Sequence, residues 1–107
     1  MIEHISSKQQ FTSALQNSSD MIVLDFFDDC THCTDMNDKL DEYSSLYENQ
    51  SKKVKFYKCN IEKDMELASD YSVNLIPTTL FFKKGKLIDK VVGPDPSSIK
   101  SVIDSGI

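Results

Sequence analysis

Two cysteines three residues apart, Cys30 and Cys33, enclose Thr31-His32, and a third, Cys59, stands alone. At this spacing one thiolate can attack a disulfide while the other reclaims the first sulfur, so the pair points to thiol–disulfide exchange or to metal binding. Position favours exchange. The pair follows an apolar run and opens a helical pattern, and a thiol at a helix N-terminus faces unsatisfied backbone N–H groups and the positive end of the macrodipole, both of which favour thiolate. Cys30 is therefore expected to be the nucleophile and Cys33, one turn inside, the resolving thiol. Two buried structural cysteines, or two of four zinc ligands, are the other readings; for zinc only Cys59, His4 and His32 remain as partners, and no metal is expected. His32 as imidazolium would stabilise the thiolate and make the disulfide a stronger oxidant, or, as an idle exposed side chain, leave it alone. Asp28 and Asp29 act the other way, raising the thiol pKa of Cys30. Asp25 interrupts the apolar run, and a buried carboxylate is costly unless paired or protonated; the alternative is a strand-edge acid facing water.

These cysteines need a strand before them and a helix behind them. Residues 21–27 form a near-continuous apolar run with β-branched and aromatic members, the pattern of a strand covered on both faces. Over 31–49 Met36, Leu40, Tyr43 and Tyr47 recur at spacings of four, three and four, with charge elsewhere, which predicts the longest helix. Ser6 or Ser7 opens an earlier helix with Phe11, Ala14 and Leu15 on one face, ending near Asn17-Ser18-Ser19-Asp20. Residues 54–61 read as a strand, in which Cys59 is a small buried hydrophobe. Residues 63–71 read as a short helix with Met65, Leu67, Ala68 and Tyr71 inward. A β-hairpin follows, from 78–82 through Lys83-Lys84-Gly85-Lys86 to 87–92. Pro94 and Pro96 shape the next turn, and 97–103 is a last helix carrying Ile99, Val102 and Ile103. The alternation requires a parallel portion of sheet with right-handed crossovers.

A length of 107 residues, 39% hydrophobic and 27% charged with three Gly and three Pro, predicts one compact domain over 1–107 and argues against collagenous and low-complexity classes. Seventeen acids, twelve Lys and no Arg give a net charge of −5, so nucleic acid is not an expected partner. Nine of the acids, with Lys39 the one base, lie between Asp20 and Glu48. That run is a solvated helix face or, because the helix begins at the cysteines, a field that repels acidic substrates and attracts Lys-rich ones. No stretch approaches the ~20 apolar residues of a spanning helix, so no membrane is expected. Met1-Ile2-Glu3-His4 shows no basic leader before an apolar segment, which places a chain starting here in the cytoplasm.

Taken in order, these features resemble a thioredoxin along essentially the whole chain: Val23-Leu24-Asp25-Phe26-Phe27, the Cys-x-x-Cys helix, Leu40-Asp41-Glu42, Lys58-Cys59-Asn60-Ile61, Ile76-Pro77-Thr78, Phe81-Phe82-Lys83-Lys84-Gly85 and Val92-Gly93. The resemblance implies an α/β thioredoxin fold, a central mixed sheet flanked by helices in the order βαβαβαββα. It implies a thiol–disulfide oxidoreductase that reduces or exchanges protein disulfides through Cys30 and Cys33. Within that resemblance Asp25 is the proton acceptor for the resolving thiol and Lys58 pairs with it. Pro77 is cis beside the cysteines, where the general base rate for X–Pro bonds would make it trans. Ile76, Pro77, Val92 and Gly93, with Asp29 and Thr31 flanking the cysteine pair, bind the substrate. The expected partners are disulfide-containing proteins and a thioredoxin-reductase-type electron donor. The chain itself, expected to be a monomer, needs no cofactor and has no length or motif for a flavin or nicotinamide site.

The departures gather at the cysteines. The family's Trp-Cys-Gly-Pro-Cys is Asp29-Cys30-Thr31-His32-Cys33 here, in a chain without Trp. Asp25 stands five residues before Cys30 where the family has six, and Asp38 occupies the place of a mid-helix proline. Cys-x-His-Cys is also the pattern of protein disulfide isomerase, which with thioredoxin brackets an expected reduction potential of roughly −270 to −180 mV. A second reading is thus a non-enzymatic binding module with a degenerate site. A glutaredoxin is a third, against which stand the missing Gly-Gly turn near Val92-Gly93 and the absence of Arg for glutathione carboxylates.

Overall fold

The computed structural model describes residues 2–18 and 20–107; the first helix ends at Gln16 with Asn17 as its cap, where its end is expected, and of that expected end only Ser19 lies outside the described residues. The elements run β1 (Ile2–His4), α1 (Lys8–Gln16), β2 (Met21–Phe27), α2 (Thr31–Asn49), β3 (Val54–Asn60), α3 (Met65–Asp70), β4 (Thr78–Lys83), β5 (Lys86–Val92) and α4 (Pro96–Gly106). Their order is the expected βαβαβαββα, and the sheet reads β1-β3-β2-β4-β5. β3 is parallel to both β1 and β2, whereas β4 runs antiparallel to β2 and β5. β2 lies at the centre, and Met21 through Phe26 are all buried.

Side chains alternate between the faces of a strand, and here they feed two cores. Met21 and Val23 of β2, Phe56 and Phe81 pack under Met36, Leu40, Tyr43 and Tyr47 of α2 and Ile99 and Ile103 of α4. Ile22, Leu24, Phe26, Cys59, Leu80 and Phe82 pack against Phe11 of α1 and Leu67 and Ala68 of α3. Asp25 shares its face with Met21 and Val23, beneath α2. Two tyrosines of α2 also hold α4 in place. The Tyr43 hydroxyl donates to the Pro96 carbonyl (3.2 Å) and the Tyr47 hydroxyl to Asp104 Oδ1 (2.6 Å).

Local chemistry sets the element ends. Ser7, Asp64 and Asp95 cap α1, α3 and α4 by accepting from the backbone N–H three residues on. Pro96, expected only to shape a turn, opens α4, since its missing N–H costs nothing at a first helical position. Met65 departs from expectation and is 73% exposed. It lies two residues, roughly 200° of helix, before Leu67, which puts it on the face opposite the buried Leu67 and Ala68. The hairpin closes through Lys84 and Gly85, with φ of 53° and 78°, the left-handed pair that a two-residue turn requires. Among the described residues no helix is long and apolar enough to cross a membrane.

The end of α2 carries a local strain. Ser51 adopts φ 55°, with its N–H on the Glu48 carbonyl (3.0 Å) and the Lys52 N–H on the Tyr47 carbonyl (2.9 Å). A Cβ disfavours this left-handed cap position, which glycine occupies freely. Ser51→Gly is expected to raise stability by about 0.5–1 kcal/mol in urea unfolding of the oxidised protein; a loss of stability would show that the seryl cap is not strained.

Candidate active site

β2 ends at Phe27 and α2 begins at Thr31, leaving three residues to turn the chain. Asp28 makes the turn. Its Oδ1 accepts the Cys30 N–H at 2.8 Å, the side-chain-to-backbone closure that aspartate offers two residues on. Cys30 is then the N-cap of α2: its carbonyl accepts from Cys33 (3.1 Å) and Thr34 (3.2 Å), and its Sγ accepts the Cys33 N–H at 3.0 Å. An N–H aimed at this sulfur stabilises negative charge there, as expected for a nucleophile. Cys30 and Cys33 are joined as a disulfide, Sγ–Sγ 2.21 Å and Cα–Cα 5.1 Å. Cys30 is half-buried and Cys33 is completely buried, an asymmetry that leaves one sulfur open to an incoming substrate.

Asp25 is 1% exposed, which excludes the water-facing alternative. Neither of its oxygens has a hydrogen-bond partner, nor does the hydroxyl of Thr79, which faces it across β4. Burial pushes its pKa up to about 8, against the smaller opposing influences of the Lys58 charge and the Thr79 hydroxyl. Lys58 is in register with Asp25 on β3 but makes no hydrogen bond to its carboxyl. The half-buried Lys58 side chain instead carries Nζ over the ring of Phe27, 5.9 Å from its centroid. The expected pairing is thus one of register and field rather than an ion pair.

Of the other expected residues, Asp29, Thr31 and His32 are all exposed at the mouth of the site. No hydrogen bond joins His32 to either sulfur among the described residues. Ile76-Pro77 is cis, as expected. One step beyond the Phe26–Thr78 pair of the β2–β4 register puts Pro77 opposite Phe27, at the end of the sheet from which the cysteine turn departs. The Gly93 N–H donates to the Pro77 carbonyl (2.8 Å) and the Thr78 hydroxyl to the Leu75 carbonyl (2.6 Å), pinning the loop. Gly93 sits at φ 92°, a conformation that suits glycine. Ile76 is half-buried and Val92 is 48% exposed, so this rim offers apolar surface.

Sequence reasoning missed two residues as members of the site. Asp28 was weighed only as a charge near Cys30, yet its Oδ1 also lies 3.5 Å from Cys33 Sγ. An acid two residues before a helix N-cap is the signal that would have found it. Thr79, in register with Asp25 on β4, carries no signal in the sequence.

A cysteine pair at a strand-to-helix turn, with a buried carboxyl on the central strand and a cis-proline loop at the same end of the sheet, defines a thiol–disulfide exchange protein. The family model described as Thioredoxin matches residues 3–105. The thioredoxin of Malassezia sympodialis is 31% identical, over 95% of each chain, and Thioredoxin-1 of Saccharomyces cerevisiae is 30% identical, over 96% of each. The crystal structure of reduced Schistosoma mansoni thioredoxin superimposes with a TM-score of 0.90 at 25% identity, covering 99% of this chain and 98% of that one. The chain belongs to the thioredoxin family, and it is a thiol–disulfide oxidoreductase acting on protein disulfides. The family acts on disulfide substrates and is reduced by thioredoxin reductase.

Asp25 makes stability depend on pH. Its carboxyl ionises near 3.9 in the unfolded chain but only at about 8 in the folded one. Between those values the folded state holds the extra proton, so this group's contribution to stability is greatest below about pH 4 and declines as pH rises to about 8. Asp25→Asn is expected to remove that slope, so the variant gains on the native protein by on the order of 3 kcal/mol between pH 5 and pH 8 in urea unfolding. Parallel curves for the two proteins would refute the buried, neutral acid.

Proposed function

We propose that this protein reduces protein disulfides by a two-step exchange in which Cys30 attacks and Cys33 resolves. The observation that carries the assignment is the difference in access, Cys30 being half-buried at the helix cap and Cys33 wholly enclosed. The Cys30 thiolate attacks one substrate sulfur, the other substrate sulfur leaves as a thiolate, and a mixed disulfide remains. The Cys33 thiolate then attacks Cys30 Sγ, closing the internal disulfide and releasing the reduced substrate. Asp25, with Lys58 supplying a positive field, acts as the buried proton store behind the pair. His32 favours the Cys30 thiolate when it is protonated. The segment Ile76-Pro77, with Val92 and Gly93, binds the substrate backbone, and Asp29 and Thr31 meet the substrate beside Cys30. One domain spanning 1–107 does this as a cytoplasmic monomer that takes its electrons from a thioredoxin reductase.

The trapping experiment follows from the roles. Cys33→Ser, reduced and then mixed with a disulfide substrate such as insulin, is expected to accumulate a mixed disulfide, visible as a mass adduct, whereas Cys30→Ser forms none. Adducts on Cys33 in the Cys30→Ser variant would reverse the assignment, and no adduct in either variant together with no insulin reduction by the native protein would favour a docking module with incidental thiols.

A second expectation concerns substrate charge. Asp29, Asp35, Asp38, Asp41 and Glu42 are exposed on the turn and on α2, and Lys39 is already held by Glu42 at 3.3 Å. The resulting negative field starts at Cys30. A Lys-rich disulfide peptide is expected to be reduced several-fold faster than a Glu-rich one at ~10 mM salt, with the ratio falling toward one at ~0.5 M. Equal rates at low salt would make the acids a solvated face and nothing more.

A further inference from the structure

The resolving step needs a base for Cys33, because a buried thiol is a poor nucleophile until it loses its proton. Of the acids near Cys33 in sequence, Asp29, Asp35 and Asp38 are exposed, which leaves Asp25 and Asp28 on the inner side of the turn. Asp25 makes no hydrogen bond from either oxygen, to the sulfur or to any other group. Asp28 does: its Oδ1 is 3.5 Å from Cys33 Sγ, and the carboxylate and both sulfurs all lie within 4.8 Å of one another. Among the described residues it is the one side chain recorded within hydrogen-bonding reach of that sulfur. In the disulfide Cys33 Sγ carries no proton, so the contact is a sulfur–oxygen approach. In the dithiol and in the mixed disulfide the same sulfur bears a proton and can donate along this line.

We propose that Asp28 is a catalytic residue, the group that takes the proton from Cys33 as the mixed disulfide is resolved. The same oxygen is held by the Cys30 N–H at 2.8 Å, so it is oriented by the residue whose bond is about to break. The Cys33 S–H bond breaks and its proton passes to Asp28 Oδ1. The sulfur's electron pair attacks Cys30 Sγ, the Cys30–substrate S–S bond breaks, and that bond's electron pair leaves with the substrate sulfur. The departing thiolate is protonated by Asp28 or by water. The cysteine pair is oxidised by two electrons, and the substrate disulfide is reduced by two. Asp28 is half-buried, so it can exchange its proton with solvent between turnovers, which the enclosed Asp25 cannot do directly.

The idea rests on the two-step reading above, and its test separates the two steps. Reduced protein is mixed rapidly at pH 7 with dithiodipyridine, a neutral aromatic disulfide. The first thiopyridone released reports attack by Cys30, and the second, independent of reagent concentration, reports resolution by Cys33. Cys59 is fully buried and lies outside this time window. Asp28→Asn keeps an oxygen for the Cys30 N–H but cannot take a proton. As a base, Asp28 contributes to the second release alone, and its loss is expected to slow that release about tenfold or more while leaving the first unchanged or faster. As a bystander charge, Asp28 disfavours the Cys33 thiolate, and its removal would speed the second release. An unchanged or faster second release therefore overturns the proposal. So does equal slowing of both releases, which would make Asp28 a structural cap for the turn. Asp28→Ser, which keeps a shorter oxygen acceptor, repeats the measurement if the Asn variant folds poorly. Asp25→Asn is run beside them. A second release slowed in that variant but normal in Asp28→Asn assigns the proton to the buried acid, whereas release of a single equivalent of thiopyridone by the native protein would strike the two-step reading itself.

Discussion

The turn of three residues between β2 and α2 is the constraint on which the site depends. Its closure is a single hydrogen bond, from the Cys30 N–H to Asp28, and that bond sets where the helix starts. Once Cys30 is the cap, its carbonyl and its sulfur receive the first free N–H groups of α2, and Cys33 must lie one turn on, within bonding distance. The turn can be this short because both of its ends are fixed. β2 is paired along its length with β3 on one side and β4 on the other, and α2 is clamped to the sheet by Met36, Leu40, Tyr43 and Tyr47. A reactive pair on a loose loop would spend part of its binding energy on ordering itself; here the sheet and the helix have already done so.

The same rigidity explains how an acid is kept in the sheet interior. Asp25 lies on the face that α2 covers, with Lys58 in register beside it and Thr79 in register opposite, and neither closes a hydrogen bond to it. Two cores, one on each face of β2, outweigh the cost. At neutral pH that cost is limited because the carboxyl keeps its proton, so what is buried is a polar group rather than a charge. An apolar residue would pack there without penalty. A fold that retains an unpartnered acid at its centre gives up stability there, the pattern expected of a group kept for function.

Most of the scaffold was legible because its signals are local. The apolar run of β2 and the 4-3-4 spacing of α2 each gave the element at its observed bounds, Met21–Phe27 and Thr31–Asn49. Both patterns are long and strongly periodic. β1 was implied by family order alone, since three residues, Ile2–His4, are too few to show alternation. Met65 was misread because its burial depends on where α3 starts, and helix ends are set by caps more than by periodicity. The place of the cysteine pair, after β2 and at the start of α2, was legible from chain position. The cis state of Pro77 was legible only by resemblance, and the partners of Asp25 only from sheet register, which a single sequence does not encode.

The departures from the family pattern make one physical argument when they are taken together. A residue removed between Asp25 and Cys30 shortens the path from the central strand to the helix cap, and the chain meets that shorter path with an aspartate whose side chain does part of the turning. The carboxylate that closes the turn necessarily sits against the first helical turn, and Cys33 is the residue of that turn which faces inward. Asp28 and Asp25 then differ in everything but residue type. One is half-buried, hydrogen-bonded and in touch with sulfur; the other is enclosed, unpartnered and protonated at neutral pH. Two like side chains in unlike environments suit a division of proton transfer from proton storage, the roles proposed for Asp28 and Asp25. A motif match assigns a role to a position along the chain, but a proton moves only across a contact, and in this chain the contact belongs to the acid that the shortened turn brought in.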